Sequence, residues 1–306
     1  MKYWQYKPLG WLFGGISRLP FGMLYVLSDI LFVLLYHVVG YRRKVALKNI
    51  ADSFPDKSPE EHKAICRQFF RNFADYFFET IKMNHITDDE MRRHTVIEGV
   101  EQIDRYVEQG RSVAVYFSHC GNWEWGTSIT LWARNNPTNG VVYAQVYRPL
   151  TNKWFDAYFL KLRSRFGSVS FDKRMVFRDL LLLKRDGVLS VTGFMSDQKP
   201  SAGDVTHVVK FLNHPTAMIT GTETIVRRLN LVAFYWDVEK PSRGHYKLTL
   251  RLITDNPDSM PQFAITDVYA RLLQQTIERN PSIWLWTHKR WKYPVQYPST
   301  DEHCDR

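Results

Sequence analysis

Apolar side chains fill the stretch FGMLYVLSDILFVLLYHVVG, residues 21–40, with only Asp29 and His37 as clear interruptions. At about 1.5 Å per residue it is long enough for the ~30 Å core of a bilayer, so it predicts a membrane-associating helix; the alternative is a buried first helix. No small-residue cleavage site of a signal peptide follows it. Lys2, Lys7 and Arg18 precede the segment and Arg42, Arg43, Lys44 and Lys48 follow it, so flanking charge does not orient it. The same cations would hold an interfacial helix on anionic headgroups.

The next two stretches, YRRKVALKNIADSFP and SPEEHKAICRQFFRNFADYFFETIKM, carry helical periodicity. In the second, Ile65, Phe69, Phe70, Phe73, Phe77 and Ile81 share one broad face behind a Ser-Pro-Glu-Glu start. From residue 112 the pattern becomes short β-branched or aromatic runs: 112–118, 141–147, 187–194, 207–212, 231–238 and 245–252. Helix-like segments near 123–134, 152–165, 174–185 and 216–229 lie between several of them. The alternation predicts an α/β fold with a largely parallel central sheet flanked by helices, preceded by the N-terminal hydrophobic helix. The expected organisation is an anchor with its flanks over residues 1–45, the α/β domain over 46–300 and a disordered tail over 301–306.

Charge adds a class of partner. The chain carries a formal +10 at neutral pH, which suits nucleic acid, an anionic membrane face or an acidic or phosphorylated substrate. Its 10 Trp, 16 Tyr and 19 Phe exceed what phosphate binding needs and favour a membrane surface over nucleic acid. Cys66, Cys120 and Cys304 are far apart and odd in number, the usage of reduced thiols.

The candidate chemistry sits in VAVYFSHCGNWEWG, residues 113–126. A strand run ends there, and parallel sheets place their chemistry at the carboxyl ends of strands. His119 follows the strand, Gly121 and Asn122 supply turn and cap chemistry, and Glu124 falls in the first turn of the helix expected from Trp123. A loop histidine and a first-turn acid five residues on can meet. The carboxylate would then fix the imidazole tautomer and leave the other ring nitrogen to take a proton from an attacking hydroxyl. Otherwise His119 caps a helix and Glu124 is solvated, a state that two adjacent indoles disfavour. Cys120 adjoins His119 but adjacent side chains seldom reach Cys–His geometry, so it is expected to be a small buried residue. His207, His214 and His288 lack metal-ligand spacing, and neither a metal nor a cofactor is expected.

SHCGNWEW, together with VYRPLTNKWFD, LRSRFG, RDGVLSVTGFMSDQ and WLWTHKRWK in this order, resembles the late acyltransferases of lipid A biosynthesis, within the glycerolipid acyltransferase superfamily and its H-x4-D/E motif. The resemblance covers most of the chain. It implies that His119 is the general base and Glu124 its orienting acid. It also implies an acyl carrier protein thioester as donor, a phosphorylated glycolipid as acceptor, and an inner-membrane location with the active domain facing the cytoplasm.

Around that core, Arg148 beyond the strand VVYAQVY is a candidate for the oxyanion or a phosphate. Of Arg163 and Arg165, two residues apart on a helix, one is expected to face the site. Asn122, Asp197 and Gln198 are further substrate-binding candidates. The Trp and basic residues of 284–292 would sit at headgroup depth or pack on the core with a solvated basic rim, and both can hold for different residues. Three other functions stay open at this level: an acyltransferase with another lipid acceptor, a thioesterase, and a non-catalytic basic surface protein.

Overall fold

All six apolar runs contain strands in the computed structural model, which describes residues 6–297 except Ala202 and Asp204. Lys2, Cys304 and the expected tail lie outside the described residues. The chain begins with α1 (Lys7–Ile16) and α2 (Phe21–Val33), the latter prolonged by one π-helical turn over Leu34–Val38. Next come α3 (Arg43–Ser53) and α4 (Pro59–Lys82). Ser58 and Glu61 close a reciprocal capping box at the start of α4, as its Ser-Pro-Glu-Glu start foretold.

α5 (Asp88–His94), β1 (Thr95–Glu98) and α6 (Val100–Glu108) lead into the central unit. It comprises β2 (Val113–Phe117), a 3-10 helix over Trp123–Leu131, β3 (Val142–Tyr147), α7 (Lys153–Arg163), β4 (Val169–Asp172), α8 (Val176–Arg185) and β5 (Ser190–Met195). A small ribbon of β6 (Val208–Phe211) and β7 (His214–Ala217) precedes α9 (Gly221–Leu229). β8 (Val232–Ser242), β9 (His245–Thr254) and α10 (Ala264–Arg279) complete the fold.

Seven strands form one sheet in the order β1-β9-β8-β2-β5-β3-β4. β8, β2, β5, β3 and β4 are mutually parallel, whereas β9 runs antiparallel to β8 and is followed by β1 parallel to it. Val113, Ala114, Val115 and Tyr116 of β2 are all buried, as a strand covered on both faces requires. The run 207–212 is the exception to the expected sheet. Leu212 and Asn213 both adopt left-handed φ, the conformation of a two-residue hairpin loop, and turn β6 directly onto β7.

Residues 6–45 of the expected anchor pack on the rest of the fold. α2 lies along α4, with Leu24 and Phe32 buried; a fully buried side chain of this size contributes about 1.5–3 kcal/mol. Ser28 donates to Asp75 at 2.6 Å, and Arg243 of the β8–β9 hairpin reaches both Asp29 and Asp75. The opposite face presents Met23, Val26, Ile30, Val33, Leu34 and Val38 to solvent at helical spacing. Phe21–Val38 is long and apolar enough to cross a membrane.

Candidate active site

The parallel order reverses its direction of growth around β2 and β5, and the crevice beyond their carboxyl ends is where open α/β sheets bind ligands. His119 leaves β2 there and Asp197 leaves β5. The corner between β2 and the 3-10 helix needs glycine: Gly121 has φ +61°, and a Cβ would come within 2.8 Å of the Tyr246 ring. Its amide donates to the Ile283 carbonyl, and Cys120 bridges to Trp284, so the C-terminal segment braces the corner.

His119 Nδ1 lies 2.7 Å from Asp197 Oδ1, and the His119 amide donates to Asp197 Oδ2 at 3.1 Å. Trp284 Nε1 donates to the same oxygen at 2.8 Å. Burial would push the Asp197 carboxyl up, but the adjacent His119 and the hydrogen bonds from its ring, from Trp284 and from the His119 amide outweigh it and hold the group below the usual carboxylate range. With Nδ1–H committed to Asp197, Nε2 keeps its lone pair, which the Gln198 amide approaches at 3.1 Å. Trp123 packs edge-on against the His119 ring and stacks on Tyr76.

The expected His119–Glu124 pair does not form. Glu124 is only 4% exposed and is gripped by Arg163, whose Nε and Nη2 each donate to one carboxylate oxygen at 2.7 Å. A bidentate guanidinium is the stronger partner for an acid buried at this position, and the carboxylate hydrogen-bonded to His119 is that of Asp197. Asp197, expected at the substrate, is 2% exposed, and both of its oxygens accept from the protein. Asn122 is also withdrawn, donating to Glu79 inside the core. Arg165 turns away to the Ile86 carbonyl, and of that pair Arg163 lines the cavity. Cys120 is 1% exposed and burial raises its thiol far above the ordinary range, which leaves it unreactive.

A cavity of about 1450 Å³ opens beside His119. Arg148, Arg163, Gln198 and Lys199 contribute polar wall, and Val115, Phe117, Val191 and Ile225 contribute apolar wall. The 284–292 segment follows its core-packing alternative, because Trp284 and Trp286 are buried edge-to-face. Two of its polar residues, His288 and Arg290, line the cavity instead of forming a rim.

The sequence matches the family described as bacterial lipid A biosynthesis acyltransferase over residues 2–293. The chain belongs to this family. Among its relatives, the lipid A biosynthesis palmitoleoyltransferase of Escherichia coli (strain K12) is 24% identical over 307 residues, covering 95% of this chain and 92% of the relative. The lipid A biosynthesis lauroyltransferase of the same strain is 23% identical over 301 residues with the same two coverages. The lipid A biosynthesis acyltransferase of Shigella flexneri is 24% identical over 307 residues. Membership makes the chain an acyltransferase of lipid A biosynthesis, a reaction that needs a base for a hydroxyl and room for an acyl chain.

Sequence reasoning missed three placements: the Asp197 carboxylate against the His119 ring, the Trp284 indole donor and the cavity position of Arg290. Asp197 stands 78 residues from His119, and only the parallel pairing of β2 with β5 brings them together.

Proposed function

We propose that the enzyme moves a fatty acyl chain from an acyl carrier protein thioester to a hydroxyl of a lipid A precursor, with His119 as general base and Asp197 as its orienting acid. The observation that carries this reading is the imidazole held at Nδ1 by a buried carboxylate while His119 lines a cavity large enough for an acyl chain. The acceptor hydroxyl displaces the Gln198 amide from Nε2 and gives up its proton there. Its oxygen attacks the thioester carbonyl, and Arg148, which lines the cavity, offsets the oxyanion. Collapse of the tetrahedral intermediate breaks the C–S bond, and the leaving thiolate takes the proton back from the imidazolium. Glu124 acts indirectly, by fixing Arg163 in the wall.

The location that fits is the cytoplasmic face of the inner membrane, where the carrier protein is available. The exposed apolar stripe of α2 would enter the lipid, while its other face stays on α4. Replacing Met23, Val26, Ile30 and Val33 together by Ser should release folded enzyme from membranes into the soluble fraction. Unchanged sedimentation with membranes would assign attachment to another surface.

The reaction is tested with purified protein, an acyl carrier thioester and a lipid A precursor, the product being read by mass spectrometry. His119→Ala should abolish transfer. Acylation only of a different lipid would leave the chemistry and remove the acceptor.

A further inference from the structure

Buried cations in this fold have acids beside them. Lys82 and Lys240, with side chains 7% and 6% exposed, each lie 3.4 Å from a carboxylate, Glu90 and Asp75 respectively. The half-buried Arg163 and Arg227 are likewise paired at 2.7 Å with Glu124 and Glu223. Arg290 breaks this pattern. It is 4% exposed, yet among the described residues no carboxylate pairs with it. Its Nη2 donates to the Ala217 carbonyl and approaches the Met218 sulfur, while Nε is buried without a partner and Nη1 makes no hydrogen bond within the described residues. Asp197, whose charge acts on it together with the Tyr269 phenol, already has both oxygens occupied by His119 and Trp284.

An uncompensated buried charge is among the costliest features a fold can carry. Burial draws the Arg290 guanidinium down only to about 10, with Asp197 opposing the fall, so it stays cationic at neutral pH. The compensation has to come from the cavity. Among the described residues its wall holds five basic side chains, Arg148, Arg163, Lys173, Lys199 and Arg290, against one carboxylate, Glu124, which Arg163 already engages. An oxyanion that exists only during reaction would not offset a charge carried at all times. A phosphate group does, and a guanidinium is suited to its oxygens.

We propose that Arg290 is a phosphate-binding residue of the cavity and that it seats a phosphate carried by one of the two substrates. The inference rests on the acyl-transfer reading for what those substrates are. The phosphate belongs either to the glycolipid acceptor or to the phosphopantetheine arm of the donor.

The test uses the full chain in detergent, with Arg290→Met and Arg290→Lys. Loss of a charge-assisted hydrogen bond should raise KM for the phosphate-bearing substrate about ten- to a hundredfold, with kcat much less affected. Arg290→Lys should recover part of the loss. Arg290→Met should unfold at the same or a higher temperature, because it removes an unpaired charge, an outcome a structural arginine would not give. A dephosphorylated glycolipid and an acyl-pantetheine donor lacking phosphate distinguish the sources. Whichever one makes wild type and Arg290→Met equal identifies the phosphate concerned.

Unchanged KM for both substrates overturns the proposal, as does a fall in kcat alone, which would make Arg290 an oxyanion group. Calorimetric binding of the phosphorylated and dephosphorylated glycolipids separates the two readings. Phosphate-dependent binding lost in Arg290→Met without acyl transfer by wild type would sink the reaction and keep the site. Transfer with phosphate-independent binding and unaltered donor kinetics would do the reverse.

Discussion

Two buried carboxylate clusters grip the same corner of the chain, residues 118–122, and only one of them faces a cavity. Under α2, Asp75 accepts from Ser28, Lys240 and Arg243, while Glu79 accepts from Tyr25, Asn122 and Tyr246. Every carboxylate oxygen there has a protein donor, and neither acid lines the cavity. Asp197 is equally buried and equally satisfied, but its partner His119 carries a second ring nitrogen that reaches the cavity wall. Burial and perturbed titration are common to both clusters. What separates the proposed site from the structural knot is a second ring nitrogen whose neighbour, Gln198, belongs to the cavity wall.

Substitutions at the two clusters should fail in different ways. Among the carboxylates the largest effect is expected at Asp197→Asn, which removes the charge that holds and stabilises the protonated imidazole. Transfer should fall by about 10²–10⁴-fold, read as kcat in the acyl-transfer assay. If Glu124→Gln abolishes transfer while Asp197→Asn spares it, the orienting role belongs to Glu124 after all. Asp75→Ala strands Lys240 in the interior without its acid and should cost about 3–5 kcal/mol of stability, measured by denaturant unfolding in detergent. The protein that remains folded should transfer acyl chains at nearly the wild-type rate. A rate loss as deep as that of Asp197→Asn would erase the distinction between the clusters.

The sequence already contained the unit that places His119, because a buried apolar strand, a glycine corner and a polar first turn are local features. It also contained the six main strand runs and both faces of α4's neighbourhood in outline, although Phe77 of the expected apolar face is 41% exposed. Short strands escaped. β1 and β4 have four residues each and owe their pairing to neighbours, not to periodicity. The site's wiring was the least legible part. Spacing suggested that Glu124 serves His119, but bidentate pairing with Arg163 captured it, and a distant strand end supplied Asp197. Likewise, periodicity assigned Asp75 and Glu79 no role, since a buried acid reads as polar until its donors from α2, β8 and β9 are in place.

The two clusters should also respond to acid with opposite signs. The Asp197 carboxyl is held below its unfolded value, so the unfolded chain takes up this proton first. Its stabilising contribution is complete above the unfolded carboxylate pKa and is lost as pH falls towards the lower folded value. Glu79 is raised, chiefly by burial, although Lys240, Tyr246 and Asn122 oppose the shift. The folded state keeps its proton longer, so this contribution is complete below the unfolded pKa and is lost as pH rises through the folded one. Each group can tilt the stability curve by at most about 1.4 kcal/mol per pH unit, the value of one proton. Unfolding free energy measured from about pH 3 to pH 7 on wild type, Asp197→Asn and Glu79→Gln should therefore diverge. Asp197→Asn should flatten the loss of stability at the acid end, and Glu79→Gln should flatten the decline towards neutral pH. Equal slopes for the two variants would mean that both carboxylates titrate alike, and that the cavity-facing cluster is no different electrostatically from the knot beneath α2.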